Sequence, residues 1–191
     1  MGAGLRIGVI DLGAIGGPVA ARLAAGLQRG EELRLAAGSE ATAAKLRAAG
    51  LTVLFSDETL IVPAARVATP NLSIDAQLPA AEGGYDVLLL CVRGEATPAA
   101  LAHAVPLLAR SGAIVCLQNG LPEEAVAAQA GAGRTLGAVI GWSATVDKPG
   151  HYRITGKGAF CLGLGERVFE ARLRSARFRS GRERVRRGAE R

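Results

Sequence analysis

The chain is short of the residues that most often carry chemistry by themselves. Its 191 residues include two histidines, three cysteines, one methionine and one tryptophan, and aromatic residues make up 4%. His103 and His151, with the three scattered cysteines, offer no set at metal-ligand spacing, so no metal site is expected. Cys91, Cys116 and Cys161 form no C-x-x-C pair. Cys91 and Cys116 fall in strands expected to be buried, and the three are read as inert core thiols in a reducing cytosol. Long apolar runs are also lacking. Asp11 and Arg22 interrupt the apolar N-terminus, which excludes a signal peptide and a membrane span there. The cytoplasm is the expected compartment, with no membrane partner.

A uniform basic surplus is absent too, despite a net charge of +6. Residues 1–166 carry 13 Lys/Arg against 14 Asp/Glu, a net of −1, whereas residues 167–191 carry 10 Arg against 3 Glu, a net of +7. The body therefore has no electrostatic footprint for nucleic acid. The chain divides at this shift into residues 1–166, one folded domain, and residues 167–191, an Arg-rich tail. The tail has little to bury beyond Val168, Phe169, Leu173 and Phe178, and reads as a solvated, disordered or frameshifted end. A basic arm for nucleic acid is the alternative reading.

What is present is apolar material, 49% of the chain. That suffices for one real core built from Ala, Val, Leu and Ile. The stretch LRIGVIDLGAIGGPVAARLAAGL, residues 5 to 27, organises the rest. Ile7, Val9 and Ile10 read as a buried parallel strand, Asp11 to Gly17 as a glycine-dense turn, and Ile15, Val19, Ala20, Leu23 and Leu27 recur at helical spacing. Strand, glycine turn and helix form the phosphate-binding opening of a dinucleotide fold, where helix N-terminal amides face pyrophosphate. The usual G-x-G-x-x-G appears as D-x-G-x-x-G. Gly13 gives close backbone approach and Gly16 lets the helix pack on the strand. Asp11 tolerates a positive φ better than most residues, but its carboxylate would repel a diphosphate. A strand-helix turn that binds nothing would share these glycines.

Further along, Leu33–Ala37 reads as a second strand and Ala41–Ala49 as a helix stopped by Gly50. Leu51–Ala68 reads as short strands, and Pro70–Gly84 as a polar connection. Tyr85–Val92 is the strongest strand. Thr97 is expected to cap a helix with Pro98 at its first position and an end near Arg110. Ser111-Gly112 turns into a strand over Ala113–Leu117, a helix follows Pro122, and Arg134–Ile140 is a further strand. Trp142–Val146, His151–Thr155 and Ala159–Leu162 read as short antiparallel strands. The predicted fold is α/β, a Rossmann-type doubly wound, mostly parallel sheet with a few antiparallel strands towards its C-terminal end. No acid ends the second strand, which favours NADP over NAD, yet no arginine stands there for a 2′-phosphate. Ser39 can offer one hydrogen bond, while Lys45 and Arg47 are read as solvated.

Four stretches carry a resemblance: IGVIDLGAIGGPVAARL, VLLLCVRGEATPAAL, LQNGLPEE and GWSATVDKPGHYRITGKGAFCLGLGE. Through them the chain resembles the N-terminal half of ketopantoate reductase (2-dehydropantoate 2-reductase), from residue 5 to about 166. The resemblance implies hydride transfer from NADPH to the ketone of a small 2-keto acid, 2-dehydropantoate, on the route to pantothenate and coenzyme A. It places the acid, a lysine, and most substrate-holding residues in a helical C-terminal domain, so no catalytic residue is assigned here. It implies a phosphate turn at Leu12, Gly13, Ala14, Ile15 and Gly16, and cofactor contacts at Arg93 and Thr97. Asn119 would lie near nicotinamide and substrate. Asp11 replaces a glycine, Ala37 stands where many members have an arginine, and Arg93 replaces a lysine. The expectation is a weakly active or inactive chain when alone, completed by self-association or by a complementing chain. A non-catalytic nucleotide-binding remnant, or a Rossmann dehydrogenase for another small substrate, is the rival reading.

Overall fold

The computed structural model describes residues 4–120 and 122–162. The Arg-rich tail at 167–191 lies outside the described residues. The chain alternates at first: β1 (Arg6–Ile10), α1 (Gly16–Gly26), β2 (Glu32–Ala36), α2 (Glu40–Ala49). Short strands follow, β3 (Leu51–Leu54), β4 (Thr59–Val62), β5 (Ala68–Thr69) and β6 (Leu72–Asp75). Then come β7 (Tyr85–Leu90), α3 (Thr97–Ala104), β8 (Leu108–Cys116), α4 (Glu123–Ala130) and β9 (Thr135–Ile140). The described chain closes with β10 (Ser143–Lys148), β11 (His151–Gly156) and β12 (Phe160–Leu162).

Eight strands form the main sheet in the order β12-β9-β8-β7-β1-β2-β6-β5. From β6 to β9 every neighbouring pair is parallel, and only β5 and β12 run antiparallel at the two edges. The chain winds outward from β1 through β2 to β6, then returns to β7 and winds the other way. This is the doubly wound order, with its reversal between β1 and β7. The expected fold class holds.

Central strands are apolar on both faces because both faces are covered. Val9, Leu33, Leu35, Leu72, Ile74 and Val115 face a core shared with α1 and α2. Leu88, Leu90, Ile114 and Cys116 face the opposite core, against Leu101 and Ala104 of α3 and Val126 of α4. A second sheet, ordered β10-β11-β3-β4, packs over α1. Its parallel centre pairs β11 with β3, joining two hairpins far apart in sequence. Helix α1 is thus covered from two sides, and its alanines Ala20, Ala21 and Ala24 give the thin profile that this needs. Arg22 of α1 fastens the second sheet, lying 4.3 Å over the Phe55 ring and pairing with Glu58.

Several expectations are corrected. The connection over Pro70–Gly84 contains β6, paired in parallel with β2. Its four residues alternate, with Leu72 and Ile74 fully buried and Ser73 and Asp75 half-buried, but the run is too short to stand out between prolines. Helix α3 ends at Ala104 rather than near Arg110. Pro106 cannot continue an α-helical ladder, and a single 3-10 turn over Val105–Leu107 leads into β8, which begins before Ser111-Gly112. Arg47 is not merely solvated: it donates to the Ile74 carbonyl at 2.8 Å. The cysteines also divide, since Cys116 is buried and Cys161 on β12 is exposed. Burial pushes the Cys116 thiol up to about 12, whereas Cys161 is open to solvent on an edge strand. Ile74→Ala should cost about 2–5 kcal/mol of stability, measured by urea denaturation, if β6 is the buried strand described here.

Candidate dinucleotide site

The site begins where β1 stops. Asp11 takes φ 75°, alone in the left-handed region among the described non-glycine residues. The conformation is one that aspartate tolerates. Its amide donates to the Ala36 carbonyl at 3.0 Å, tying the turn to the end of β2. The Gly17 amide donates to the Gly13 carbonyl at 2.9 Å, which starts the helix. No side chain caps α1, and no acid lies in its first turn. Amides from Gly13 to Gly16 therefore have no helical carbonyl behind them, the arrangement that suits an anion.

The glycines are used as the spacing requires. A Cβ on Gly16 would overlap the Asp11 carbonyl, so the helix closes on the turn only without one. Gly17 has a different neighbour. A Cβ there would overlap the ring of Tyr152, a fully buried residue of β11. The Tyr152 hydroxyl donates to the Leu12 carbonyl at 2.9 Å. Burial holds this phenol well above its ordinary range, so it stays a donor. Tyr152 was not found by sequence reasoning, because its partner lies 140 residues away.

Asp11 also points its carboxylate into the turn. A Cβ on Gly13 would lie 3.1 Å from Asp11 Oδ2. The amides of Gly13 and Leu12 lie close enough to favour the charged carboxylate. Burial raises its pKa above the usual carboxylate value; those amides and the nearby Arg93 charge oppose the shift without cancelling it.

At the reversal between β1 and β7 lies a cleft of about 420 Å³. Asp11, Gly38, Gln77, Arg93 and His103 line it. Arg93 is largely exposed, 3.5 Å from Glu95. His103 is engaged with the Leu78 carbonyl at 3.0 Å. Ser39 stands just beyond the tip of β2 and caps α2: its Oγ accepts from the Thr42 amide at 3.2 Å. The acid sought at the end of β2 is absent, but Asp75 sits beside Ala36 on β6 and accepts from Ser73 Oγ at 2.7 Å.

Thr97 and Asn119 are brought together elsewhere, in a neighbouring cleft of about 280 Å³ that Gly94 and Pro122 also line. Thr97 is not a helix cap but the first residue of α3, nearly buried. Its Oγ1 accepts from Gln118 Nε2 at 2.7 Å, and the same nitrogen donates to the Val92 carbonyl at 2.6 Å. Gln118 thereby joins the loops after β7 and β8. Its Oε1 is a buried acceptor without a protein partner. Among the described residues, no group of three or more His, Cys, Asp or Glu is placed to hold a metal ion. No helix among them is long and apolar enough to cross a membrane.

The uncapped start of α1, the glycine approach and the cleft at the sheet's reversal together fit a dinucleotide. The family model for ketopantoate reductase PanE/ApbA matches residues 7–167. The chain belongs to this family. No curated protein matches it. Among solved structures, the PanE/ApbA family ketopantoate reductase of Ralstonia eutropha JMP134 is similar at 23% identity and TM-score 0.72. That match covers 90% of this chain and 54% of the other. The 2-dehydropantoate 2-reductase of Geobacter metallireducens GS-15 is 26% identical at TM-score 0.69, covering 90% and 56%. A D-mandelate dehydrogenase solved with NADH and anilino(oxo)acetate is 19% identical at TM-score 0.71, covering 90% and 53%. The chain thus spans little more than half the length of these structures.

Tyr152→Phe strands the buried Leu12 carbonyl and should cost about 1–3 kcal/mol in urea denaturation. Gly17→Ala, which forces the Tyr152 ring to move, should cost at least as much by the same measurement.

Proposed function

We propose that the chain is the dinucleotide-binding part of an NADP-dependent reductase of ketopantoate type, reducing the ketone of 2-dehydropantoate. The observation that carries this is the uncapped glycine turn at the head of α1, opening beside the cleft where the sheet reverses. When bound, the cofactor supplies hydride. The amides of Gly13, Ala14, Ile15 and Gly16 would hold its diphosphate, with Leu12 shaping the turn. Arg93 would add positive charge from the β7 side. Thr97 positions Gln118 and the following Asn119, which would face nicotinamide and a 2-keto acid. Ser39 would meet the adenosine ribose or its phosphate.

The reaction also needs a donor to neutralise the ketone oxygen as hydride arrives. None of the proposed cofactor residues is such an acid. The residues proposed for the cofactor are expected to bind it without supplying that proton.

One observation favours NADH instead. The tip of β2 carries Ala37 and Gly38, with no cation for a 2′-phosphate, and Ser39 is committed to capping α2. Nicotinamide fluorescence titrations with NADPH and NADH separate the two readings. Tighter NADPH binding supports the first, tighter NADH binding the second, and no saturable binding by either overturns both. Arg93→Ala should weaken the preferred cofactor about fivefold, the scale of one exposed charge contact.

A further inference from the structure

The glycine turn already holds an anion of its own. Asp11 stands where the fingerprint has its first glycine, and its φ of 75° turns the side chain back over the residues that follow. Oδ2 lies against Gly13, on the side where a Cβ would sit 3.1 Å away. The Leu12 and Gly13 amides lie close enough to favour the charged carboxylate. A diphosphate entering the turn needs close approach at Gly13, so the two anions meet over the same backbone. Tyr152 holds the Leu12 carbonyl from behind, which limits any retreat of the turn.

We propose that the Asp11 carboxylate is a built-in competitor for the phosphate turn, and that a dinucleotide displaces it by binding with uptake of a proton on Asp11. This rests on the dinucleotide reading of the site. The protonated carboxyl loses the charge that opposes the ligand. Partial burial already disfavours that charge before any ligand arrives. The bound diphosphate disfavours it further, so the complex holds the proton at a higher pH than the free protein. Affinity then rises as pH falls between the two values.

The groups around Asp11 are few. Cys91, just after β7, and Tyr152, on β11, both have their ionisation pushed up by burial and by the Asp11 charge. Both therefore stay neutral through the range of interest. Arg93, after β7, supplies a fixed positive charge. Glu95 and His103 line the same cleft, and a His103 variant serves as the control for Asp11.

The test uses calorimetric titration of the full chain with ADP-ribose, a diphosphate whose linkage does not titrate near neutrality, between pH 5 and 8. Wild type, Asp11→Asn, Asp11→Gly and His103→Gln are compared. Asn and Gly both accept a positive φ, so both variants should fold, and thermal melts check this. The expected result is at least about tenfold tighter binding at pH 7.5 by both Asp11 variants, with Gly the tighter of the two. Wild type should lose affinity as pH rises, by up to about tenfold per unit, and show proton uptake across buffers of different ionisation enthalpy. Both signs should vanish in the Asp11 variants and persist in His103→Gln. Equal affinity of wild type and Asp11→Asn, or a pH dependence that follows His103, overturns the competitor while leaving the dinucleotide site standing. Binding by none of the folded variants overturns both.

Discussion

Between the two sheets there is no room for a side chain at the start of α1. Gly16 lies against the Asp11 carbonyl and Gly17 against the ring of Tyr152. Helix α1 is therefore pinned at its N-terminus, front and back, by contacts that only glycine permits. Every other feature of the site takes its position from this. The turn opens at the end of β1 because the helix cannot slide away from it. The second sheet sits where it does because Tyr152 reaches past Gly17 to Leu12. The cleft at the sheet's reversal is bounded on one side by the same turn.

The second sheet gives the domain an uneven design. In a plain doubly wound fold the first helix covers one face of the sheet and meets water with its own outer face. Here the outer face is covered as well, by hairpins drawn from residues 51–62 and 143–156. The alanine content of α1 follows from that geometry, since larger side chains would hold the layers apart. Arg22 completes the attachment at the rim, stacking on Phe55 beside Glu58.

Much of this was readable in the sequence, for local reasons. Ile7, Val9 and Ile10 followed by Asp11 to Gly17 and then α1 is a pattern contained within about 20 residues. The buried run at Tyr85–Leu90 and the turn chemistry at Gly50 are equally local. What was hidden is non-local. Strand β6 is only Leu-Ser-Ile-Asp, and it becomes a strand because β2 and β5 flank it. The end of α3 depends on Pro106, which lies hidden among the apolar residues around it. Thr97 looks like a cap in sequence, but Gln118 claims its hydroxyl from the next βα loop. The parallel pairing of β11 with β3 has no signature in either segment, and with it goes Tyr152, the residue that braces the candidate site.

That brace also sets an order of events in the life of the chain. Leu12 precedes Tyr152 by 140 positions and is made before it. The segment from β1 through α2 is local enough to form early, yet its turn stays unsecured until β11 has arrived and paired with β3. Maturation of the pocket is thus tied to the β10–β11 hairpin, and nascent chains that have not reached it carry the loop without its clasp.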